Sequence, residues 1–168
     1  VICATCVGSG DLLLDSRRFP LVLLDEATQA TEPASLIPLT KGARHVGLVG
    51  DHMQAPLLVQ SEAARDQGLG RSMFERLYHE GSCHTIVLDE QYRMRELLWA
   101  WPNQVFYAGQ VRTACSAELQ APIGGLPWSS PLDFVDVPGR ERPDGRSYCN
   151  DVEAECAIKL VRRAVAEG

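Results

Sequence analysis

Residues 21–29, LVLLDEATQ, carry the clearest structural signal in this chain of 168 residues. The first four are apolar, and the run is bounded by Pro20 and Asp25. An uninterrupted apolar run of this kind is typical of a strand that is buried on both faces of a parallel sheet. The run ends in two adjacent carboxylates, Asp25 and Glu26, and ligands of open α/β sheets bind at the carboxyl ends of the strands. The stretch therefore predicts a parallel sheet with acidic side chains at its ligand-binding edge.

Strand and helix patterns alternate on either side of this run. We predict further strands at residues 1–6, 46–49 and 85–88, and helices at residues 31–39 and 72–78. This alternation favours a doubly wound parallel α/β sheet.

The second half of the chain has a different pattern. It predicts a helix at residues 95–107 that is broken at Pro102, an irregular connection at 113–131 and a strand at 134–137. A last helix is expected to start at Asn150, because an N-cap residue with a glutamate three positions later is typical of a capping box. The change of pattern places a domain boundary near residue 90, which divides the chain into residues 1–90 and 91–168.

A second strand end also carries polar residues. Gly50, Asp51 and Gln54 follow the apolar run at residues 46–49. A nucleoside triphosphatase needs one carboxylate to hold Mg²⁺ and a second group to orient or deprotonate the attacking water. Asp25 and Glu26 could supply both functions, and Gln54 could hydrogen-bond a terminal phosphate or that water. The alternative for the acidic pair is a solvated strand end without catalytic function.

Four motifs in order resemble those of a known family. Residues 25–29 (DEATQ) match the D-E-A-x-Q form of helicase motif II, and residues 50–56 (GDHMQAP) resemble motif III. Residues 91–94 (QYRM) match motif IV, and residues 5–10 (TCVGSG) look like the segment that precedes motif II. Order and spacing together are similar to the superfamily 1 RNA/DNA helicases of the nonsense-mediated-decay and senataxin type.

This resemblance implies a fold and a function. The fold would be that of P-loop NTPases, with the later part of one RecA-like domain at residues 1–90 and the start of a second at 91–168. The function would be that of an ATP-dependent helicase or translocase, with ATP and Mg²⁺ bound in the cleft between the domains. It would act on single-stranded RNA or DNA with 5′-to-3′ travel. The resemblance also implies a location in the nucleus or cytoplasm and protein partners that bind outside this chain.

The resemblance assigns roles to individual residues. Asp25 would bind Mg²⁺, Glu26 would be the catalytic base, and Gln54 would sense the γ-phosphate. Arg93 would stabilise charge on the transferring phosphoryl group. Nucleotide contacts are implied for Asp25, Glu26, Gln54, Gln91 and Arg93, and a contact with the nucleic-acid strand is implied for Thr5. For residues 91–94 the alternative is an interdomain linker with one exposed arginine.

Departures from the family pattern keep other functions open. Met53, Ala55, Arg95 and Glu96 differ from the residues that are usual in motifs III and IV. The sequence contains no G-x-x-x-x-G-K-[ST] loop, and we expect that loop before Val1. A catalytically inactive, helicase-derived scaffold is therefore the second hypothesis. An unrelated α/β nucleotide-binding or signalling domain is the third.

Composition restricts the kinds of partner. The net charge of −6 has the wrong sign for binding nucleic acid by bulk charge, so nucleic-acid contacts are expected to be local. No apolar run approaches the roughly 18–20 residues of a membrane span, and no membrane partner is expected. On a strand, Cys3 and Cys6 would point to opposite faces, so free thiols are expected rather than a metal or redox pair.

Overall fold

The computed structural model describes residues 1–115 and 132–167. The chain forms two compact units, Val1–Val87 and Leu88–Gly168. The predicted assignment of residues 1–90 and 91–168 to two successive RecA-like domains stays a prediction. The predicted connection at residues 113–131 lies mostly outside the described residues. None of the described helices has the length and apolar character of a membrane span.

The first unit is built on two parallel strands. Strand β1 (Leu21–Leu24) pairs with strand β2 (His45–Leu48), with Leu21 opposite His45 and Leu24 opposite Leu48. Helix α1 (Glu32–Leu39) connects the two strands, and helix α2 (Met73–Glu80) follows β2. The strand predicted at residues 21–24 is confirmed, and β2 lies one residue earlier than predicted.

Hydroxyl side chains fix the start of both helices. Thr31 Oγ1 accepts a hydrogen bond from Ala34 N–H (3.4 Å), and Ser72 Oγ accepts one from Glu75 N–H (3.1 Å). Each bond satisfies a backbone donor of the first turn that has no partner within the helix. The helices predicted at residues 31–39 and 72–78 are thereby confirmed. Shorter helical turns span Gly8–Gly10, Leu12–Leu14, Ala27–Gln29, Glu62–Ala64 and Arg65–Leu69.

The core of this unit covers one face of β1. Val22 and Leu24 are buried together with Ala27 and Met73. Leu21 and Leu23, on the other face, are 59% and 68% exposed. The prediction that residues 21–24 are buried on both faces is therefore wrong for the described residues, because α1, α2 and the segment after β1 supply apolar contacts to one face only.

Three predicted strands do not form ladders in the described part of the chain, and these predictions are wrong. Residues 1–6 run into the turn at Gly8–Gly10, where Ser9 N–H donates to Thr5 O (2.9 Å). Residues 85–88 and 134–137 have no described strand beside them, and their apolar side chains are largely exposed. β-Branched and aromatic residues such as those in these segments are typical of strands, but a strand needs a neighbour with which to pair.

The second unit combines a parallel and an antiparallel strand pair. Strand β3 (Glu90–Gln91) pairs in parallel with β4 (Arg112–Thr113), and helix α3 (Glu96–Phe106) connects them. Strands β5 (Arg142–Asp144) and β6 (Ser147–Cys149) form a hairpin, followed by helix α4 (Asp151–Glu167). Asn150 Oδ1 accepts hydrogen bonds from Val152 N–H (3.2 Å) and Glu153 N–H (3.3 Å), which confirms the predicted N-cap. The α/β class is thus confirmed, whereas the doubly wound RecA-like sheet stays a prediction.

Helix α3 is continuous through Pro102, so the predicted break is wrong. Proline removes one backbone hydrogen bond from a helix interior. The turn that follows is held by Asn103, whose Nδ2 donates to Val111 O (2.8 Å) and whose Oδ1 accepts from Val111 N–H (3.1 Å). Trp99 Nε1 also donates to Val111 O (3.3 Å), and the Trp99 ring packs at 5.3 Å from that of Tyr107.

The two tryptophans of α3 differ in environment. Trp99 is half-buried, whereas Trp101 is 67% exposed.

We predict that Asn103→Ala destabilises the protein by about 1–3 kcal/mol, because the backbone N–H and C=O of Val111 both lose their bonds to this amide. The free energy of unfolding is measured in urea. Gln104→Ala, an exposed substitution on the same helix, is the matched control. Equal stabilities of the two variants would show that Asn103 does not hold the turn after Pro102.

Candidate functional site

The carboxyl ends of β1 and β2 lie side by side, and the pairing continues beyond both strands. Val49 N–H donates to Leu24 O (2.8 Å), and Ala27 N–H donates to Val49 O (2.8 Å). The segments that resemble motifs II and III therefore start from adjacent positions of one sheet edge. This is the edge at which open α/β sheets bind ligands.

The acidic pair lies in a sharp turn immediately after β1. Glu26 N–H donates to Asp25 Oδ1 (3.0 Å), and Glu26 has left-handed backbone angles, φ 50° and ψ 40°. Side-chain-bearing residues rarely adopt this conformation, and such residues cluster at functional sites. Ala27 and Thr28 are buried directly after the turn, whereas both carboxylates are exposed. The turn thus presents two acidic side chains to solvent at the end of a packed strand.

Gly50 brings the second segment against the first. A Cβ atom at this position would lie 3.2 Å from Thr28 Cγ2 and 3.3 Å from the backbone nitrogens of Ala27 and Thr28. A side chain there would push these groups apart by a few tenths of an ångström. Glycine is therefore the residue that permits this close approach.

Asp51 organises the segment that resembles motif III. Its Oδ1 accepts from Met53 N–H (2.9 Å), and its Oδ2 accepts from Gln54 Nε2 (2.9 Å). The Gln54 side chain is thereby held by a charge-assisted hydrogen bond although it is exposed. The sequence pattern named Gln54 as a site residue but gave no role to Asp51. The structure assigns Asp51 the task of orienting it.

Gln29 joins the two segments directly. Its Nε2 donates to Ala55 O at 2.6 Å, across 26 residues of sequence. Sequence reasoning quoted Gln29 within a motif without giving it a function. The available signal was its position directly after the buried Ala27 and Thr28, which places an amide beside the neighbouring strand end.

Aromatic and ionic contacts surround this edge. The His52 ring lies 4.4 Å from the Tyr78 ring of α2, which ties the motif III segment to that helix. Arg76 of α2 binds Glu32 of α1 and also Glu80. The hydrogen bond from Arg76 lowers the pKa of the Glu32 carboxyl. These contacts join α1 to α2 and hold α2 against the segment that follows β2.

Thr5 has a local structural contact. Its Oγ1 accepts from Gly8 N–H (3.0 Å), and a Cβ at Gly8 would lie 2.9 Å from that oxygen. The residue is exposed at the start of the first turn. The nucleic-acid contact expected for Thr5 stays a prediction.

The second unit holds the remaining predicted site residues. Gln91 is half-buried in β3, and Arg93 is exposed in the turn that follows. The guanidinium of Arg93 makes no hydrogen bond or ion pair within the described residues. The Tyr92 hydroxyl donates to Glu90 Oε2 (2.7 Å), and this hydrogen bond raises the pKa of the phenol.

The cysteines have no described metal or disulfide partner. All six thiols are free, with Cys3 and Cys83 exposed and the other four half-buried. Among the described residues, no group of three or more His, Cys, Asp or Glu side chains could hold a metal ion. Residues 3 and 6 do not lie on a strand, and the expectation that the thiols serve neither a metal nor a redox pair stays a prediction.

We predict that Gln29→Ala loosens the segment at residues 50–56. The variant loses the bond to Ala55 O, which costs about 0.5–1.5 kcal/mol of stability. Backbone amide exchange in that segment is expected to become faster. Gln60→Ala, which truncates an exposed glutamine elsewhere in the same unit, should leave the exchange unchanged. Equal exchange in both variants would mean that Gln29 does not join the two segments.

Two family models, each described as an AAA domain, match the chain at residues 1–62 and 69–168. The whole chain is similar to the ATP-dependent helicase NAM7 of Saccharomyces cerevisiae, with 40% identity over 18% of the yeast protein. It is 41% identical to Regulator of nonsense transcripts 1 of Dictyostelium discoideum, of which it covers 13%. It is 35% identical to the 5'-3' DNA helicase ZGRF1 of Mus musculus, of which it covers 9%. The chain thus spans less than a fifth of the length of each of these relatives.

Proposed function

We infer the function of this chain from its family, because it belongs to the AAA-domain family of superfamily 1 helicases of the nonsense-mediated-decay type. We propose that it forms part of a motor that couples ATP hydrolysis to movement on single-stranded RNA or DNA. Relatives named as helicases, one of them a 5'-3' DNA helicase, support this proposal and the 5′-to-3′ direction. We propose that it acts in the nucleus or cytoplasm.

The observation that carries the proposal is the shared sheet edge. Asp25 and Glu26 leave β1 beside the point at which the segment of Gln54 leaves β2. ATP hydrolysis needs a site for Mg²⁺, a base or orienting group for water, and a group that contacts the terminal phosphate. The edge offers side chains of the right chemistry for all three.

The donor set at this edge fits the Mg²⁺ that the family implies. Carboxylate oxygens are hard ligands, and nucleotide-bound Mg²⁺ takes only one or two of them beside phosphates and water. Asp25 would hold the ion through its exposed carboxylate. When bound, Mg²⁺ neutralises negative charge on the phosphates.

Glu26 is proposed as the general base. Its left-handed turn presents the side chain directly after Asp25, so that one carboxylate is available for the metal and the next for water. The proton of the attacking water would pass to a Glu26 carboxylate oxygen.

Gln54 is proposed as the γ-phosphate sensor. Asp51 holds one Nε2 hydrogen of Gln54, which leaves the second hydrogen to donate to a phosphate and Oε1 to accept from water. Gln29 hydrogen-bonds this same segment to the segment that resembles motif II. A movement of Gln54 would therefore also displace the turn that carries Asp25 and Glu26.

Arg93 is proposed to stabilise charge in the transition state. Its guanidinium is free of other described residues, and a planar, permanently charged fork suits phosphoryl oxygens. Thr5 is proposed to contact the nucleic-acid strand, which fits the expectation of local rather than bulk-charge contacts.

The scaffold hypothesis rests on departures such as Ala55. The contact made at position 55 uses its backbone carbonyl, which is available from any residue. The departure therefore leaves the link between the two segments intact. This observation favours the active motor over the scaffold.

We predict that Glu26→Gln lowers ATP hydrolysis by the full-length protein about 10²–10⁴-fold, because the amide cannot take up the proton. ATP binding should be retained, since the side chain keeps its shape. Turnover is measured with saturating single-stranded RNA or DNA. Glu62→Gln, an exposed carboxylate-to-amide change outside the edge, is the control. Normal turnover of Glu26→Gln would exclude Glu26 as the base.

We predict that Arg93→Ala lowers kcat far more than it weakens ATP binding. A charge that meets the phosphoryl group in the transition state acts on kcat, and such arginines contribute roughly 10³–10⁵-fold. Arg93→Lys should restore only part of the rate, since a point charge lacks the bidentate fork. An unchanged kcat in Arg93→Ala at saturating nucleic acid would make Arg93 a linker residue.

A further inference from the structure

The side-chain amide of Gln91 is bound entirely within its own chain. Its Oε1 accepts from Arg93 N–H (3.0 Å) and Met94 N–H (2.8 Å). Its Nε2 donates to Met94 O (2.7 Å) and to Thr113 Oγ1 (3.0 Å). The amide thus binds both the N–H and the C=O of Met94, and it also binds the Thr113 side chain of strand β4.

These four hydrogen bonds use the full capacity of the side chain. A glutamine amide has two N–H donors and an oxygen with two lone pairs. Any hydrogen bond from Gln91 to a nucleotide would require that one of the four be given up. The nucleotide contact that the family resemblance implies for Gln91 stays a prediction, and the four hydrogen bonds favour a different role.

The backbone of Gln91 is held by the hydrogen-bond ladder between β3 and β4. Arg112 N–H donates to Asp89 O (2.7 Å), and Ala114 N–H donates to Gln91 O (2.9 Å). Thr113, the side-chain partner of Gln91, lies opposite it in the β3–β4 register. Gln91 is therefore fixed at its backbone and through its side chain.

The turn at residues 92–94 depends on this anchor. The amides of Arg93 and Met94 both donate to the same Gln91 oxygen, so the backbone that carries Arg93 is set by one side chain. The Arg93 guanidinium has no partner of its own among the described residues. The position of the Arg93 side chain is therefore set by its backbone and not by contacts of the guanidinium.

We propose that Gln91 is a positioning residue that holds the turn from which Arg93 acts. The proposal rests on the function proposed above for Arg93. Gln91 would contribute to hydrolysis without touching the nucleotide. A small misplacement of a reacting group costs up to ~10²-fold in rate, so loss of this anchor should be visible in kcat.

The test uses the full-length protein and measures kcat at saturating single-stranded nucleic acid together with the Kd of ATP. Gln91→Ala is expected to lower kcat about 10–100-fold with little change in Kd. Gln91→Met keeps the approximate side-chain volume but removes all four hydrogen bonds of the amide. It should therefore lower kcat as the alanine variant does, and it serves if the alanine variant folds poorly. Gln110→Ala, an exposed glutamine of the same unit, is the control.

A double variant separates positioning from direct contact. If Gln91 acts through Arg93, adding Gln91→Ala to Arg93→Ala should change kcat by less than about twofold. Backbone amide exchange at residues 93 and 94 should also become faster in Gln91→Ala, whether or not nucleotide is present.

Different results would overturn the positioning role of Gln91 and the function proposed for Arg93. An undiminished effect of Gln91→Ala in the Arg93→Ala background, or a Kd that weakens as much as kcat falls, would mean that Gln91 contacts the nucleotide. Normal kcat in Gln91→Ala beside a reduced kcat in Arg93→Ala would overturn the positioning role alone. Normal kcat in Arg93→Ala would overturn the function of Arg93 and the positioning role with it. Unchanged exchange at residues 93 and 94 would show that Gln91 does not hold the turn.

Discussion

The parallel pairing of β1 and β2 extends beyond the strands themselves. The bonds from Val49 to Leu24 and from Ala27 to Val49 carry the ladder into the segments that follow, and the bare backbone of Gly50 lets these segments touch. The Mg²⁺ and ATP site that we propose at this sheet edge depends on this extended pairing. If the two strand ends were separated, the acidic pair and Gln54 would belong to two unrelated loops.

Local hydrogen bonds orient the side chains and segments at this shared sheet edge. Asp51 holds Gln54, and Gln29 bridges to Ala55. Gln91 has a corresponding task in the second unit, where its amide holds the turn of Arg93. In each case a hydrogen bond to an amide or carboxylate side chain fixes a nearby backbone segment or side chain. Such supporting groups are needed because a reacting group is useful only when it is preorganised.

The sequence foresaw those features that depend on local pattern. The apolar run at residues 21–24 predicted β1, and Thr31, Ser72 and Asn150 marked helix starts whose capping bonds are present. It failed where structure depends on a distant neighbour. Strand composition is present at residues 1–6, 85–88 and 134–137, but no described strand pairs with them. Helix α3 continues through Pro102 although proline removes one hydrogen bond from the helix interior. The roles of Gln29, Asp51 and Gln91 were also beyond sequence reasoning, because each rests on a specific side-chain bond rather than on a residue type.

We propose that Mg²⁺ and the phosphates of ATP bind at this one sheet edge. A high-resolution structure of the full-length protein with Mg²⁺ and ADP–aluminium fluoride, a mimic of the transferring phosphoryl group, would locate them. We expect Asp25 to bind the metal ion directly or through one water. Glu26 should accept a hydrogen bond from the water in line with the aluminium fluoride, and Gln54 should contact the fluoride. A nucleotide bound away from the ends of β1 and β2, with both carboxylates facing bulk solvent, would show that this edge is not the ATP site.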